Sequence, residues 1–143
     1  MPADPLRRPL LRHGAILFLV GLLTGIPNQA YANPRLGLSA HIAGIMSGLF
    51  LLVLGAIWSE LRLSASAKAW TYWLALSNYL GWIGLVLAAA WGTGRVTPIN
   101  GAGTEAAAWQ DAIVFVVLSI FSLASLGNIA LVIYGLRGDE GPH

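Results

Sequence analysis

Apolar positions along the chain fall into four long runs, at about 10–27, 36–58, 69–91 and 112–136, separated by short polar or glycine- and proline-rich breaks. A helix needs about 20 apolar residues to cross a roughly 30 Å hydrocarbon core. Three of the runs meet that length, and the first comes near it once Leu10 and Leu11 are counted. The pattern predicts an all-α, integral membrane four-helix bundle, with residues 14–137 as one transmembrane domain. Residues 1–13, broken by Pro2, Pro5 and Pro9, are expected to form an irregular arm, and 138–143 a short tail.

Local signals sharpen the boundaries. Asn33-Pro34 is a good helix start, with Asn as the cap and Pro at the first helical position. Glu60, Arg62, Ser64, Ser66 and Lys68 make a polar turn, and Trp70, Tyr72, Trp73 and Trp91 sit near the ends of the third run as interfacial anchors. Residues 92–103, with Pro98 and several glycines, read as a loop; the fourth run starts after Asp111 and closes at Arg137 and Gly138. Four spans leave both termini on one side. The arm, the 60–68 turn and the tail hold Arg7, Arg8, Arg12, Arg62, Lys68 and Arg137, against Arg35 and Arg95 opposite, so both termini are expected in the cytoplasm. Ala30-Tyr31-Ala32 after a basic, apolar start also fits a signal-peptide cleavage site. Gly14, Gly21 and Gly25 give the same segment a packing face, and it is expected to be retained.

Composition agrees with a membrane protein. Of 143 residues, 57% are apolar and 10% charged, against roughly 25% charged in soluble domains. A net charge of +2, widely scattered, does not point to nucleic acid. With no cysteine in the chain, disulfides, thiol nucleophiles, iron–sulfur clusters and cysteine zinc sites are excluded.

The second run carries the chemistry. Gly37, His41, Gly44, Gly48 and Gly55 recur at three-, four- and seven-residue steps, so on a helix they share one face. An intramembrane histidine is costly and needs a partner. One reading is a neutral imidazole bonded to a neighbouring helix; the other is a metal or cofactor ligand. Zinc wants three or four protein ligands, whereas His13 lies near the opposite membrane face and His143 in the tail. Haem needs a single proximal histidine, and a flat macrocycle suits the smooth strip at Gly44 and Gly48. Arg35, about two turns above His41, is placed to neutralise haem propionates. Thr24, Ser47, Asn78, Tyr79, Trp82, Ser119, Ser122, Ser125 and Asn128 supply further polar or aromatic groups at depth. For serine and threonine the ordinary reading is a bond to their own backbone; for the asparagines it is interhelical glue.

The stretch Asn33-Pro34-Arg35-Leu36-Gly37-Leu38-Ser39-Ala40-His41, continuing to Gly44 and Gly48, resembles the hydroxylaminobenzene mutase family. Leu61 to Ser64, Ala89 to Gly92 and Gly135 to Arg137 extend the likeness over about residues 12–138. A more remote similarity to styrene oxide isomerases lies in a histidine followed seven residues later by glycine, as at His41 and Gly48. The resemblance implies a homotrimeric, multi-pass inner-membrane isomerase with haem b bound through His41. Such mutases convert an aryl hydroxylamine to an ortho-aminophenol, and the related isomerases turn an aryl epoxide into an aldehyde. Ser47, Tyr79 and Asn78 are the candidate catalytic residues beside the cofactor set His41, Arg35, Gly44 and Gly48. The family pattern has glutamate two residues after the histidine and asparagine six after it; this chain has Ala43 and Ser47. An aryl epoxide isomerase and a non-catalytic haem or small-molecule binding protein therefore stand beside the mutase reading.

Overall fold

A computed structural model describes residues 4–101 and 103–137. The expected tail at 138–143, with Gly138 and His143, lies outside the described residues, as do residues 1–3 of the arm. No strand occurs among the described residues. The helices are α1 (Arg7–Thr24), α2 (Pro34–Ala56), α3 (Ala65–Leu76), α4 (Asn78–Trp91), the short α5 (Pro98–Gly101) and α6 (Ala108–Gly135). Single 3₁₀ turns at Asn28–Ala30 and Trp58–Glu60 flank α2.

The arm is the first correction. It is helical from Arg7, because Pro9 falls in the first turn, where a backbone N–H has no intrahelical acceptor to lose. As a result Arg7, Arg8 and Arg12 all belong to α1. The third run is also not continuous. At Ser77 the backbone N–H and the Oγ both turn to Leu74 O, at 3.1 Å and 2.6 Å, and Asn78 Nδ2 donates to Ala75 O at 2.8 Å. These short polar side chains compete for the carbonyls of the preceding turn and break the helix there. The expected 92–103 loop contains α5, and Gly92 ends α4 in the left-handed region at φ 69°.

Three helical stretches are long and apolar enough to cross a membrane: Pro34–Ala56, Ala65–Trp91 (α3 and α4 together) and Ala108–Gly135. α1, with three arginines in 18 residues, is not among them. α1 lies along α2, α2 packs on α4, and α6 packs on α3 and α4. Leu10, Leu17, Leu51, Leu54 and Trp58 lead one core cluster; Leu36, Ala88, Ala89 and Val114 form another. The outer face of α6, with Phe115, Leu123, Leu126 and Ile133, is exposed, as expected of a surface toward lipid.

Polar ties mark the two ends. At one, Lys68 Nζ meets Asp4 Oδ2 at 2.9 Å, Arg7 Nε donates to Gly55 O at 3.3 Å, and Arg62 N–H donates to Gly135 O at 2.8 Å. At the other, buried Asn33 is the hub. Its Oδ1 accepts from the N–H groups of Arg35 (3.0 Å) and Leu36 (3.2 Å), capping α2 as the sequence suggests. Its Nδ2 donates to Asn100 O at 2.9 Å and Thr104 Oγ1 at 3.1 Å, and its N–H bonds Ala89 O at 3.0 Å. One side chain thus starts α2 and holds the α4–α6 connection against it.

Asn33→Ala removes the cap and leaves the Asn100 carbonyl without its Nδ2 donor. It should lower unfolding stability in detergent by about 2 kcal/mol. Asn33→Ser, which keeps a capping oxygen and loses only the Nδ2 donor, should lose less; equal loss in both would mean that the cap contributes nothing.

Candidate active site

The glycine face of α2 does not stand open. α1 fills it. A Cβ on Gly44 would stand 2.6 Å from Gly21 Cα, and one on Gly14 would stand 2.7 Å from Leu52 N. At Gly48 an added Cβ would run into the Phe18 backbone. The two backbones meet with no side chain between them, the close approach that small residues permit. Gly44 and Gly48, expected as a wall for a planar cofactor, are instead the seam between two helices. The strip demanded a close neighbour, and the neighbour is α1.

His41 lies at the outer end of this seam, half-buried. Its Nδ1 is 2.8 Å from Gly21 O. A carbonyl only accepts, so Nδ1 carries a proton, and in the neutral ring the lone pair is then on Nε2. The carbonyl is available because α1 tightens at its end: Gly25 N–H turns to Leu22 O at 3.2 Å, three residues back, and not to Gly21 O. Gly25 is also the floor under the ring, since a Cβ there would sit 2.7 Å from Nδ1. The ring faces an outward-opening recess of about 320 Å³ lined by Leu22, Gly25, Ile26, Asn28, Leu38 and His41. Asn28 Oδ1, on the rim, is buried without a hydrogen-bond partner.

An imidazole with Nδ1 bonded to a carbonyl and its ring lining an open recess matches the hydrogen-bonding pattern of ligating histidines. The residues present fit a single-histidine metal group better than a multi-ligand site. The recess itself is apolar on Leu22, Ile26 and Leu38, which suits a lipid-soluble ring system.

The other candidates are spread out. Arg35 is exposed in the first turn of α2, six residues before His41. Ser47 is buried, at 8% exposure, six residues after it. That is about 9 Å along the axis and roughly a third of a turn around it. Ser47 therefore does not share the His41 face. Tyr79 is further away: its hydroxyl donates to His13 O at 3.1 Å and sits 3.3 Å from His13 Nδ1. His13 precedes Gly21 by eight residues, about 12 Å along α1. Asn78 is bound into the α3–α4 break. Tyr79 and Asn78, placed by depth alone, are thus not brought to His41 within the chain. Trp82 backs the seam: its Nε1 donates to Thr24 Oγ1 at 3.0 Å, and its ring edge abuts Gly44. Sequence reasoning missed the Gly21 carbonyl, Asn28 and the seat at Gly25. Gly21 and Gly25 were visible as packing glycines; the tightened turn that frees a carbonyl had no sequence signal.

A family model described as styrene oxide isomerase matches residues 6–137. Hydroxylaminobenzene mutase HabB of Ectopseudomonas oleovorans is 42% identical over 135 residues, covering 93% of this chain and 82% of that protein. Hydroxylaminobenzene mutase HabA of the same organism is 33% identical over 131 residues, covering 90% and 97%. No solved structure matches the chain significantly.

The seat makes a direct prediction. In protein carrying ¹⁵N-histidine, the neutral form of His41 should show Nδ1 as the protonated nitrogen. Gly25→Ala should weaken the Nδ1 hydrogen bond and shift both ring resonances, while Gly127→Ala, where an added Cβ would make only an ordinary contact with Leu74 at 3.6 Å, should leave them in place.

Proposed function

The chain belongs to the styrene oxide isomerase family and is an enzyme of the isomerase class, and from that premise we propose that it rearranges an aryl hydroxylamine to an ortho-aminophenol at a haem b site held by His41. The observation that carries the site is the His41 ring, with Nδ1 held by Gly21 O at 2.8 Å and Nε2 left to ligate. The substrate class rests on the two relatives named as hydroxylaminobenzene mutases.

When bound, the haem iron supplies a Lewis acid for the substrate oxygen. The protein's part is seating and shielding. Gly21 O fixes the His41 tautomer and makes Nε2 a better donor. Leu22, Ile26 and Leu38 keep the recess apolar, and Arg35, at the outer end of α2, would meet propionate charge. The reaction is redox-neutral: the N–O bond breaks, positive charge spreads into the ring, oxygen returns at the ortho carbon, and the ring proton lost there balances the one gained at nitrogen. Ser47, where the family pattern is expected to have asparagine, is proposed to hold the oxygen or a water through its shorter hydroxyl, reaching the substrate about 9 Å further along α2 and not from the His41 face. Tyr79 and Asn78, also candidates, stand further from His41 within the single chain.

We further propose a multi-pass inner-membrane protein with four spans and cytoplasmic termini, working as a homotrimer. α1 supports the fourth span: its 18 residues extend about 27 Å beside α2. Arg7, Arg62 and Lys68 lie at the end where Asp4 and Gly135 are tied in, which favours one cytoplasmic face. In a trimer the outward-opening His41 recess would be closed by a neighbouring subunit.

The test is spectroscopic and catalytic together. Purified protein should show a Soret band that His41→Ala abolishes, and should convert phenylhydroxylamine to 2-aminophenol. Unaltered haem in His41→Ala sinks the ligand assignment; bound haem without aminophenol sinks the mutase reading. The family model's description favours one alternative, aryl epoxide isomerisation, which formation of phenylacetaldehyde from styrene oxide would reveal. Turnover of neither substrate, with haem present, would leave a haem-binding protein. Ser47→Asn should raise mutase turnover.

A further inference from the structure

A second cavity, of about 500 Å³, lies between α2, the α3–α4 break and α6, lined by Phe50, Asn78, Phe121, Ser125, Asn128 and Ile129 among others. Phe50 follows His41 by nine residues, so this cavity sits about 13 Å further along α2. It is distinct from the His41 recess, with which it shares no lining residue.

Two polar atoms in its wall have no partner. Asn128 is 1% exposed, and its Nδ2 donates to Thr71 O at 2.6 Å. Because that carbonyl only accepts, the amide orientation is settled and Oδ1 is an acceptor. This Oδ1 is buried and unbonded. One turn earlier, Ser125 Oγ is also buried and unbonded. The contrast with Ser122 is informative, for that hydroxyl bonds Leu118 O at 2.8 Å, the usual use of a serine in an apolar helix. Ser125 forgoes it. In hydrocarbon an unmet acceptor is costly, and here the two unmet groups belong to side chains that line a cavity walled mainly by Phe50, Phe121, Leu126 and Ile129, with Asn78 and Ser122 beside them, and large enough for a ligand.

We propose that this cavity is a second binding site, for a small neutral arene bearing a hydroxyl or amino donor. Asn128 Oδ1 accepts the donor hydrogen, Ser125 Oγ bonds the heteroatom, and Phe50 and Phe121 flank the ring. The ligand's class rests on the mutase reading, since hydroxylamine substrate and aminophenol product both fit it; the site's existence rests on the two orphaned groups. Such a site would hold substrate or product in the inner half of the bundle, away from His41.

The experiment reads binding and not turnover. Full-length protein in nanodiscs is titrated with 4-fluorophenol and followed by ¹⁹F NMR, with fluorobenzene as the comparator of the same shape lacking a donor. Saturable 4-fluorophenol binding is expected, about tenfold tighter than fluorobenzene. It should persist in His41→Ala, weaken about tenfold in Ser125→Ala, and disappear in Ser125→Phe, which fills the cavity. Ser125 makes no hydrogen bond, so Ser125→Ala should fold normally, checked by circular dichroism. Equal binding of the two probes, or wild-type binding in both Ser125 variants, overturns the site and means that ordered water satisfies Ser125 and Asn128. Loss of binding in His41→Ala also overturns it, by assigning the probe to the His41 recess. Failure of the mutase reading shows separately, as absent aminophenol with binding intact.

Discussion

The contact on which this structure depends is backbone against backbone. Where α1 crosses α2, Gly21 and Gly44 are so close that neither could carry a methyl group without collision. In lipid there is no hydrophobic drive to pull two apolar helices together, so such proximity rests on van der Waals fit and on whatever hydrogen bonds it permits. Here it permits one of consequence. Only with α1 lying this near can the imidazole of His41 reach the Gly21 carbonyl. The helix-packing seam and the seat of the His41 ring are thus one construction: loosening the first misorients the second.

The remaining polar groups follow a rule with instructive exceptions. Thr24, Thr71 and Ser122 each return their hydroxyl to a carbonyl four residues back, and Ser77 to one three back. A group so bonded is inert, and its presence at membrane depth needs no functional account. Asn28, Thr93, Thr97, Asp111, Ser125 and Asn128 break the rule with buried, unpartnered oxygens. Asn28, Asp111, Ser125 and Asn128 belong to the linings of recesses, whereas Thr93 and Thr97 lie in the connection between α4 and α5. Leaving such groups unmet costs more in hydrocarbon than in water-filled surroundings, so Ser125 and Asn128, within the span of α6, carry more weight than the loop threonines.

How much was legible in the sequence depended on whether a signal was local. The Asn33-Pro34 start to α2 could be read because capping chemistry involves the next three residues only. His41 could be singled out because an intramembrane histidine is rare whatever surrounds it. The glycine face was visible too, but a smooth strip states only that something comes close, not whether it is a helix or a macrocycle. Tyr79 and Asn78 went astray for a different reason. Hydropathy orders residues by depth and says little of azimuth, and the break at Ser77 is made by side-chain bonds that no periodicity reveals. The arm was misread because Pro9 was counted as a breaker without asking which turn it would occupy.

Azimuth also bears on Ala43 and Ser47, where the expected family pattern has glutamate and asparagine. At 100° per residue, Ala43 and Ser47 stand about 200° and about 240° from His41 around α2, so the two are neighbours on a face turned away from the imidazole. Ser47 is one turn beyond Gly44, whose neighbour is the Trp82 ring, so it belongs to the side of α2 that meets α4. The His41 ring, by contrast, leans on Gly21 and Gly25 of α1. Substitutions at 43 and 47 can therefore reshape one wall of α2, the one that Ser47 turns toward α4, without touching the contacts that orient the imidazole. A helix can change the wall on one face while keeping a histidine seat on another when the two are built on different faces. The face toward α1 is held by backbone contact and tolerates almost no change; the other faces are held by side chains, and that is where both departures occur.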